Sequence, residues 1–295
     1  MMAWISITGR KLFYPLSLAT IFTVVFYSIR YSFAKETIVT SVLFLSLIFA
    51  YLGENILPYG KNIEVGRLKR DLFYNLFNIV FIAALGTLTA YCLKEVIWFF
   101  SGKNTIFNSN QLGPFFLQLI LIVLGVDLFR YFIHRAQHKY NFLWNFHAQH
   151  HSVNRTYSLN NFYSHPLDLF FRHAMPSYIF IVVGFGESAL AAGLGIIGAI
   201  GIFSHCDADL EFGFLNKFLT TSQVHRWHHS HQFGAVGKNF APSLALWDQI
   251  FGTYYFDSKH KGPISMGLGQ EEEVRHPAES AWKFTWSPFK KFFDL

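Results

Sequence analysis

Four apolar runs in this chain are long enough to cross a lipid bilayer, and they limit its architecture more than any other feature. A membrane-spanning helix needs about 20 mostly apolar residues, and only helices or closed barrels satisfy their backbone polar groups inside hydrocarbon. Leu12–Ile29 is the first run. Thr37–Leu52 is the second, extended by Ile56 and Leu57. Leu72–Leu93 is the third, and Phe115–Ile133 is the fourth, interrupted late by Asp127 and Arg130. Leu167–Val183 and Ala189–Phe203 form a shorter pair around the turn Gly184–Phe185–Gly186–Glu187, of a length to span or only to dip in. The expected fold is an all-α integral membrane protein. It is a bundle of about four transmembrane helices plus a shorter hairpin, with a cytosolic histidine-rich helical cap.

Composition agrees. The chain is 52% hydrophobic and only 14% charged, with 35 Phe; soluble domains carry about 25% charged residues. The net charge of +6 sits in short basic clusters beside apolar runs, which fits anionic lipid headgroups rather than nucleic acid. Arg10–Lys11 followed by an apolar run resembles a signal peptide. However, Arg30, Tyr31 and Ser32 follow in place of a small-residue cleavage site, so the run reads as a retained helix. Cys92 and Cys206 form neither a disulfide framework nor a CxxC site.

The basic loops suggest an orientation. Arg10 and Lys11 precede the first run, Lys61, Arg67, Lys69 and Arg70 follow the second, and Arg135 and Lys139 follow the fourth. The positive-inside rule puts these groups in the cytoplasm. Arg30 and Lys35 fit less well, since they fall on the outer side. If the last pair forms an in–out–in hairpin, His165 and His205 return to the face where His134 and His138 emerge. Three regions follow: 1–115 holds N-terminal transmembrane helices, 116–260 the catalytic region, and 261–295 an interfacial tail. The tail reads equally as a strand or helix packed on the cap.

Fourteen histidines carry the chemistry. Eight fall in three blocks, HRAQH (His134 to His138), HAQHH (His147 to His151) and HRWHH (His225 to His229). Residues three or four apart share a helical face. Adjacent ones, such as His150 and His151, diverge by about 100° and can serve two different metals. The blocks thus supply imidazoles for two metal ions. Imidazole suits Zn, Cu, Fe and Ni, but zinc normally takes four ligands and would be over-supplied. The chain has no HExxH motif and no recurring ExxH pair. An all-nitrogen pair of irons uses the most ligands. His173, His260 and His276 read as structural, and His231 as a supporting residue. Asp127 lies two helical turns before His134, placed to accept a ligand N–H or to pair with Arg130 or Arg135. Asn161, four residues before His165, is placed to orient a metal-bound water. Trp247 and Asp248 read as locking the end of the cap, and Gly252 as a turn.

The strings DLFRYFIHRAQH, LWNFHAQHHS, NFYSHPLD, FSHCD, HRWHHS and KNFAPSLALWDQIFGTYY, running from Asp127 to Tyr255 over under half of the chain, resemble the fatty acid hydroxylase/sterol desaturase superfamily. The HPLD string looks like its sterol desaturase and alkylglycerol monooxygenase branch. The resemblance implies membrane helices under a cytosolic cap holding two non-haem irons. It also implies O2-dependent hydroxylation or desaturation of a lipid such as a fatty acyl, alkyl-glycerol or sterol compound. The implied ligands are His134, His138, His147, His150, His151, His225, His228 and His229, with His205 at a further ligand position. Some relatives carry an HxxxH pair there, whereas this chain has Asp209, so either His165 or Asp209 completes the implied set.

With no Rossmann glycine fingerprint, CxxCH haem site or ferredoxin cysteine set, electrons must come from outside. The donors in view are a cytochrome b5, a ferredoxin or a reduced pterin. The expected setting is a bacterial inner membrane or the endoplasmic reticulum, with the metal site on the cytoplasmic side. The rivals are a non-catalytic lipid-binding scaffold and a membrane metal or haem protein. Transporters place ligands near the bilayer midplane, whereas these histidines cluster at helix ends.

Overall fold

The computed structural model describes residues 2–31, 34–60, 65–102, 106–260, 262–269, 285–286 and 288–289. Helices α1 (Met2–Arg30), α2 (Lys35–Ile56), α3 (Val65–Ser101) and α4 (Phe115–Lys139) grow from the four apolar runs. After the short α5 (Asn141–His151), the chain runs back along the bundle through α6 (Pro166–Leu169) and α7 (Met175–Val183), and returns as α8 (Glu187–His205). Helices α9 (Ser222–His228) and α10 (Leu246–Ile250) complete the described helices. No strand forms among the described residues; two isolated bridges, Pro58 to Ala208 and Ser230 to Met266, stitch the head.

Among the described residues, five helices are long and apolar enough to cross a membrane: α1, α2, α3, α4 and α8. The second arm of the expected short hairpin is therefore a span in its own right. The first arm is broken. Pro176 has no N–H to give to the carbonyl of Arg172, and a π-turn occupies Phe170–Ala174, with Met175 N–H reaching back to Phe170. A left-handed Gly184 (φ 103°) then reverses the chain.

Helix α8 is the axis, with 72% of its window buried against 11% for α3. Small residues let neighbours approach its backbone. A side-chain carbon at Gly193 would stand 2.7 Å from Ile122 Cγ2 of α4, and one at Gly195 3.5 Å from Val42 of α2. Helix α3 has 37 residues, about 55 Å at 1.5 Å per residue, and so outreaches the hydrocarbon core. Phe44, Leu76, Ile79, Phe116 and Ile120 are exposed on the outside, as a lipid-facing surface requires.

All helix ends that bear the histidine blocks meet in one head. Arg10 pairs with Asp209 at 3.1 Å and its carbonyl accepts the N–H of Glu211, which brings the start of α1 there. The end of α2 arrives through Glu54, which accepts from Ser158 N–H and Asp207 N–H. The start of α3 arrives through Asn75 and Asn78, which donate to the carbonyls of Leu159, Phe162 and Ser164. Much of the expected tail, including Trp282, Phe284 and Phe292, lies outside the described residues. Thr285 and Phe289 pack on the head: Tyr74 Oη lies 2.8 Å from Thr285 Oγ1, and the Phe289 ring lies 5.7 Å from that of Phe146.

Candidate metal centre

Helical periodicity sorts the histidines into two groups. One nitrogen from each of His134, His138, His147, His151 and His228 lies within 4.8 Å of the others, and the same holds for His150, His205, His225 and His229. Pairs four apart stay together: His134 with His138, His147 with His151, His225 with His229. Adjacent pairs split, His150 from His151 and His228 from His229, because 3.6 residues per turn point them about 100° apart.

Hydrogen bonds fix which nitrogen faces inward. His134 Nδ1 donates to the carbonyl of Phe240 at 2.6 Å, and His228 Nδ1 to that of Lys238 at 2.8 Å. His147 Nδ1 donates to Asp168 at 3.1 Å, and His205 Nδ1 to Asn160 Oδ1 at 2.9 Å. A carbonyl or carboxylate oxygen only accepts, so the Nε2 atom of each ring carries a lone pair. Yet His134 Nε2 stands 3.0 Å from His147 Nε2. His205 Nε2 stands 2.9 Å from His225 Nε2, which is 3.1 Å from His229 Nε2. The Nε2 atoms of His138, His150, His151 and His228 are buried without a hydrogen-bond partner among the described residues.

Between His134 and His147, both with Nδ1 protonated, the facing Nε2 lone pairs repel unless a cation lies between them. In the second group only the lone pair of His205 is fixed, because the Nδ1 atoms of His225 and His229 have no partner among the described residues. Protonation is disfavoured: burial pushes the pKa of His147, His150, His151, His225 and His229 below 6.5, and that of His228 to about 3. The spacing fits a metal. Two imidazoles at right angles on one ion, each bonded at about 2.1 Å, stand about 3.0 Å apart. The residues therefore fit two metal ions. Five nitrogens in one group exceed the four-coordinate preference of zinc and suit iron.

Asp168 holds this arrangement. It accepts from His147, from Gln137 Nε2 at 2.6 Å, and from Arg172 Nη2 at 3.2 Å. Burial alone would raise its pKa, but Arg172 and His147 outweigh that and hold it at about 2. Asp248 secures the carbonyl wall by accepting from Phe240 N–H, Ala241 N–H and Thr253 Oγ1.

The remaining candidates fall elsewhere. His165 caps α6: its Nδ1 accepts Leu167 N–H and its Nε2 donates to the carbonyl of Thr285, so both nitrogens are engaged and it joins neither group. Asp209 pairs with Arg10 instead. Asp127 does not reach His134; it accepts Leu244 N–H at 2.9 Å and so anchors the segment just beyond Phe240. Asn161 is 8% exposed and makes no hydrogen bond among the described residues, and its neighbour Asn160 is the residue that holds His205. His173 meets Arg130 Nη2 at 2.7 Å, His231 meets Ser265, and His260 pairs with Asp257. His276 lies outside the described residues. Sequence reasoning missed Asp168, Asn160 and Gln137. The available signal was Asp168 four residues before Arg172 in a segment otherwise apolar.

Comparison with known proteins bears on the same stretch. Residues 119–253 match the family model described as fatty acid hydroxylase, which takes in every residue of both histidine groups. Over 210 residues the chain is 29% identical to ornithine lipid hydroxylase of Rhizobium tropici, covering 69% of this chain and 63% of that protein. It is 31% identical over 148 residues to sphinganine C4-monooxygenase 2 of Arabidopsis thaliana, covering 46% and 54%. It is 31% identical over 179 residues to alkylglycerol monooxygenase of Homo sapiens, covering 57% and 39%. The matches thus span less than two-thirds of each of these relatives. No solved structure matches the chain.

Proposed function

We propose, from the fatty acid hydroxylase domain that this chain carries over residues 119–253, that it is a membrane di-iron oxygenase that hydroxylates a C–H bond of a lipid. The observation that carries this reading is the pair of buried imidazole groups whose inward nitrogens stand about 3 Å apart, at one end of a bundle of membrane spans. The relatives' names, hydroxylase and monooxygenase, favour oxygen insertion over desaturation.

His134, His138, His147, His151 and His228 would hold one iron, and His150, His205, His225 and His229 the other. Bound there, iron supplies the redox chemistry by which O2, two electrons and two protons convert R–H to R–OH and water. The protein's part is positioning and exclusion of water. Asp168, Asn160 and the carbonyls of Phe240 and Lys238 keep Nδ1 protonated and Nε2 free on His147, His205, His134 and His228 respectively. Buried His225 and His229 sit where solvent does not reach. Electrons would come from a cytochrome b5, a ferredoxin or a reduced pterin. The basic residues at the head end, Arg67, Arg70, Arg135 and Lys139, favour a cytoplasmic head.

The test is isotopic. The chain is purified anaerobically in detergent, reduced, and given 18O2 with a total lipid extract. One atom of label in a new lipid hydroxyl supports the reading. Iron-loaded protein that consumes reductant yet leaves every lipid unlabelled and without a new double bond overturns it.

A further inference from the structure

Helix α2 packs on α8, while α3 packs on α6, α7 and the turn Ser158–Phe162. Between them lies a seam floored by α8. Ala191, Leu194, Gly198, Gly201 and His205 fall within about 80° of arc on that helix at 100° per residue, so one face runs from its far end to the second histidine group. This face is open. Leu194, Gly198 and Gly201 are half-buried, whereas Gly195, Ile197, Ala199 and Ile202 are buried. A cavity of about 1270 Å³ opens at the far end, with Val39, Ala90, Ile181, Ala191 and Leu194 on its apolar side and Lys94, Asn108, Gln111 and Glu187 on its polar side. A second, of about 590 Å³, opens at the head end between Leu47, Tyr51, Leu68 and Leu159, with Arg155 and Ser158 at its polar side.

At the level of the histidines this apolar face meets one polar side chain. A side-chain carbon at Gly201 would meet only Asn161 Nδ2, at 3.8 Å. Asn161 is 8% exposed and makes no hydrogen bond among the described residues. Its amide atoms are not sealed from water, so the carboxamide reaches this face, and hydrocarbon laid against it would remove that water without replacing its hydrogen bonds. The group that arrives beside Asn161 is therefore polar, while the seam below it is apolar and lies within the bilayer.

We propose that the seam between α2 and α3 is the groove for a single acyl chain of a bilayer lipid, and that Asn161 hydrogen-bonds a polar group, such as an ester or amide, at the head of that chain. The chain runs from Asn161 along Gly201, Gly198 and Leu194 toward the larger cavity. Leu43, whose Cδ2 would stand 2.7 Å from a side-chain carbon at Gly198, lies across the path and must rotate aside. Asn161 is a positioning residue in this account. The assignment rests on the oxygenase reading for what the bound lipid is for, but the binding itself needs neither iron nor turnover.

The test is photolabelling of the metal-free full chain in nanodiscs, with a phosphatidylcholine bearing a diazirine midway along one acyl chain. The expected adducts lie on Leu43, Leu47, Leu194 and their neighbours in the seam. Gly201→Phe, which fills the open face, removes them, and Gly201→Ala keeps them. Asn161→Leu, of similar volume without hydrogen-bonding groups, weakens seam labelling about tenfold. Adducts confined to the outer faces of α3 and α4, and equal in all four proteins, overturn the proposal. Equal seam labelling in Asn161→Leu overturns the part given to Asn161. Mapping on the unsubstituted chain decides the groove even where a variant does not fold. Seam labelling without lipid oxidation in iron-loaded protein counts against the oxygenase reading alone; oxidation without seam labelling counts against the groove alone.

Discussion

Asp168 accepts the Nδ1–H of His147 at 3.1 Å while Arg172, one helical turn on, holds its other oxygen. This fixes the ring of His147 with Nε2 toward the metal site. Outer hydrogen bonds of this kind typically tune metal affinity by about 10- to 100-fold. Asp168→Asn keeps the size and loses the charge. It is expected to fold and to release iron to a chelator at correspondingly lower chelator concentration, read as iron retained after dialysis.

The two groups share no histidine, so each should empty separately. His147→Ala is expected to lose iron from the five-histidine group and keep the other ion, and His205→Ala the reverse. Metal analysis of each variant reads this directly, with both falling from about two irons per chain to about one, the number that each intact group can hold. Loss of both ions from either variant would mean that the groups assemble as one unit.

Burial, which outweighs the hydrogen bond from His228 to the carbonyl of Lys238, depresses the pKa of His228 from 6.5 to about 3. A folded-state pKa below the unfolded value means that the unfolded chain binds the proton more readily. The stability is therefore complete above pH 6.5 and is lost as pH falls from 6.5 toward 3. The metal-free chain is expected to lose head structure in this window, followed by tryptophan fluorescence. His228→Gln removes one of these titrations and is expected to reduce the loss only in part, because burial lowers the pKa of His147, His150, His151, His225 and His229 as well.

Asp248 satisfies two buried backbone N–H groups and the Thr253 hydroxyl. Asp248→Ala leaves those donors unpaired, at about 1–3 kcal/mol for each that finds no water. A fall in thermal stability of about 2–4 kcal/mol is expected, with iron retention falling as the Phe240 carbonyl moves from His134. A melting curve in detergent, with and without iron, checks both parts.

Much of this was legible in the chain itself. Spans show in sequence because bilayer length and apolarity leave few alternatives, and all four runs became helices. The arm Ala189–Phe203 was harder to judge because its apolar run falls short of the about 20 residues a span needs, and its glycines Gly193, Gly195 and Gly198 are the residues that let it sit at the axis of the bundle. The block spacing foretold that neighbouring imidazoles would diverge, since that is local helix geometry. His165 was not separable from the rest by sequence, because a helix cap and a metal ligand look alike until Thr285 and Leu167 are seen on its two nitrogens. Asp168 and Asn160 act across 21 and 45 residues of chain, which no spacing rule reaches.

The central claim is that two buried imidazole groups each hold an iron, and the measurement that meets it most directly is the metal content of the unsubstituted chain purified anaerobically after expression with iron supplied. The account predicts about two irons per chain, one for each group of inward-facing nitrogens. A chain that binds no iron after reconstitution, or takes only zinc with one ion per chain, would contradict it.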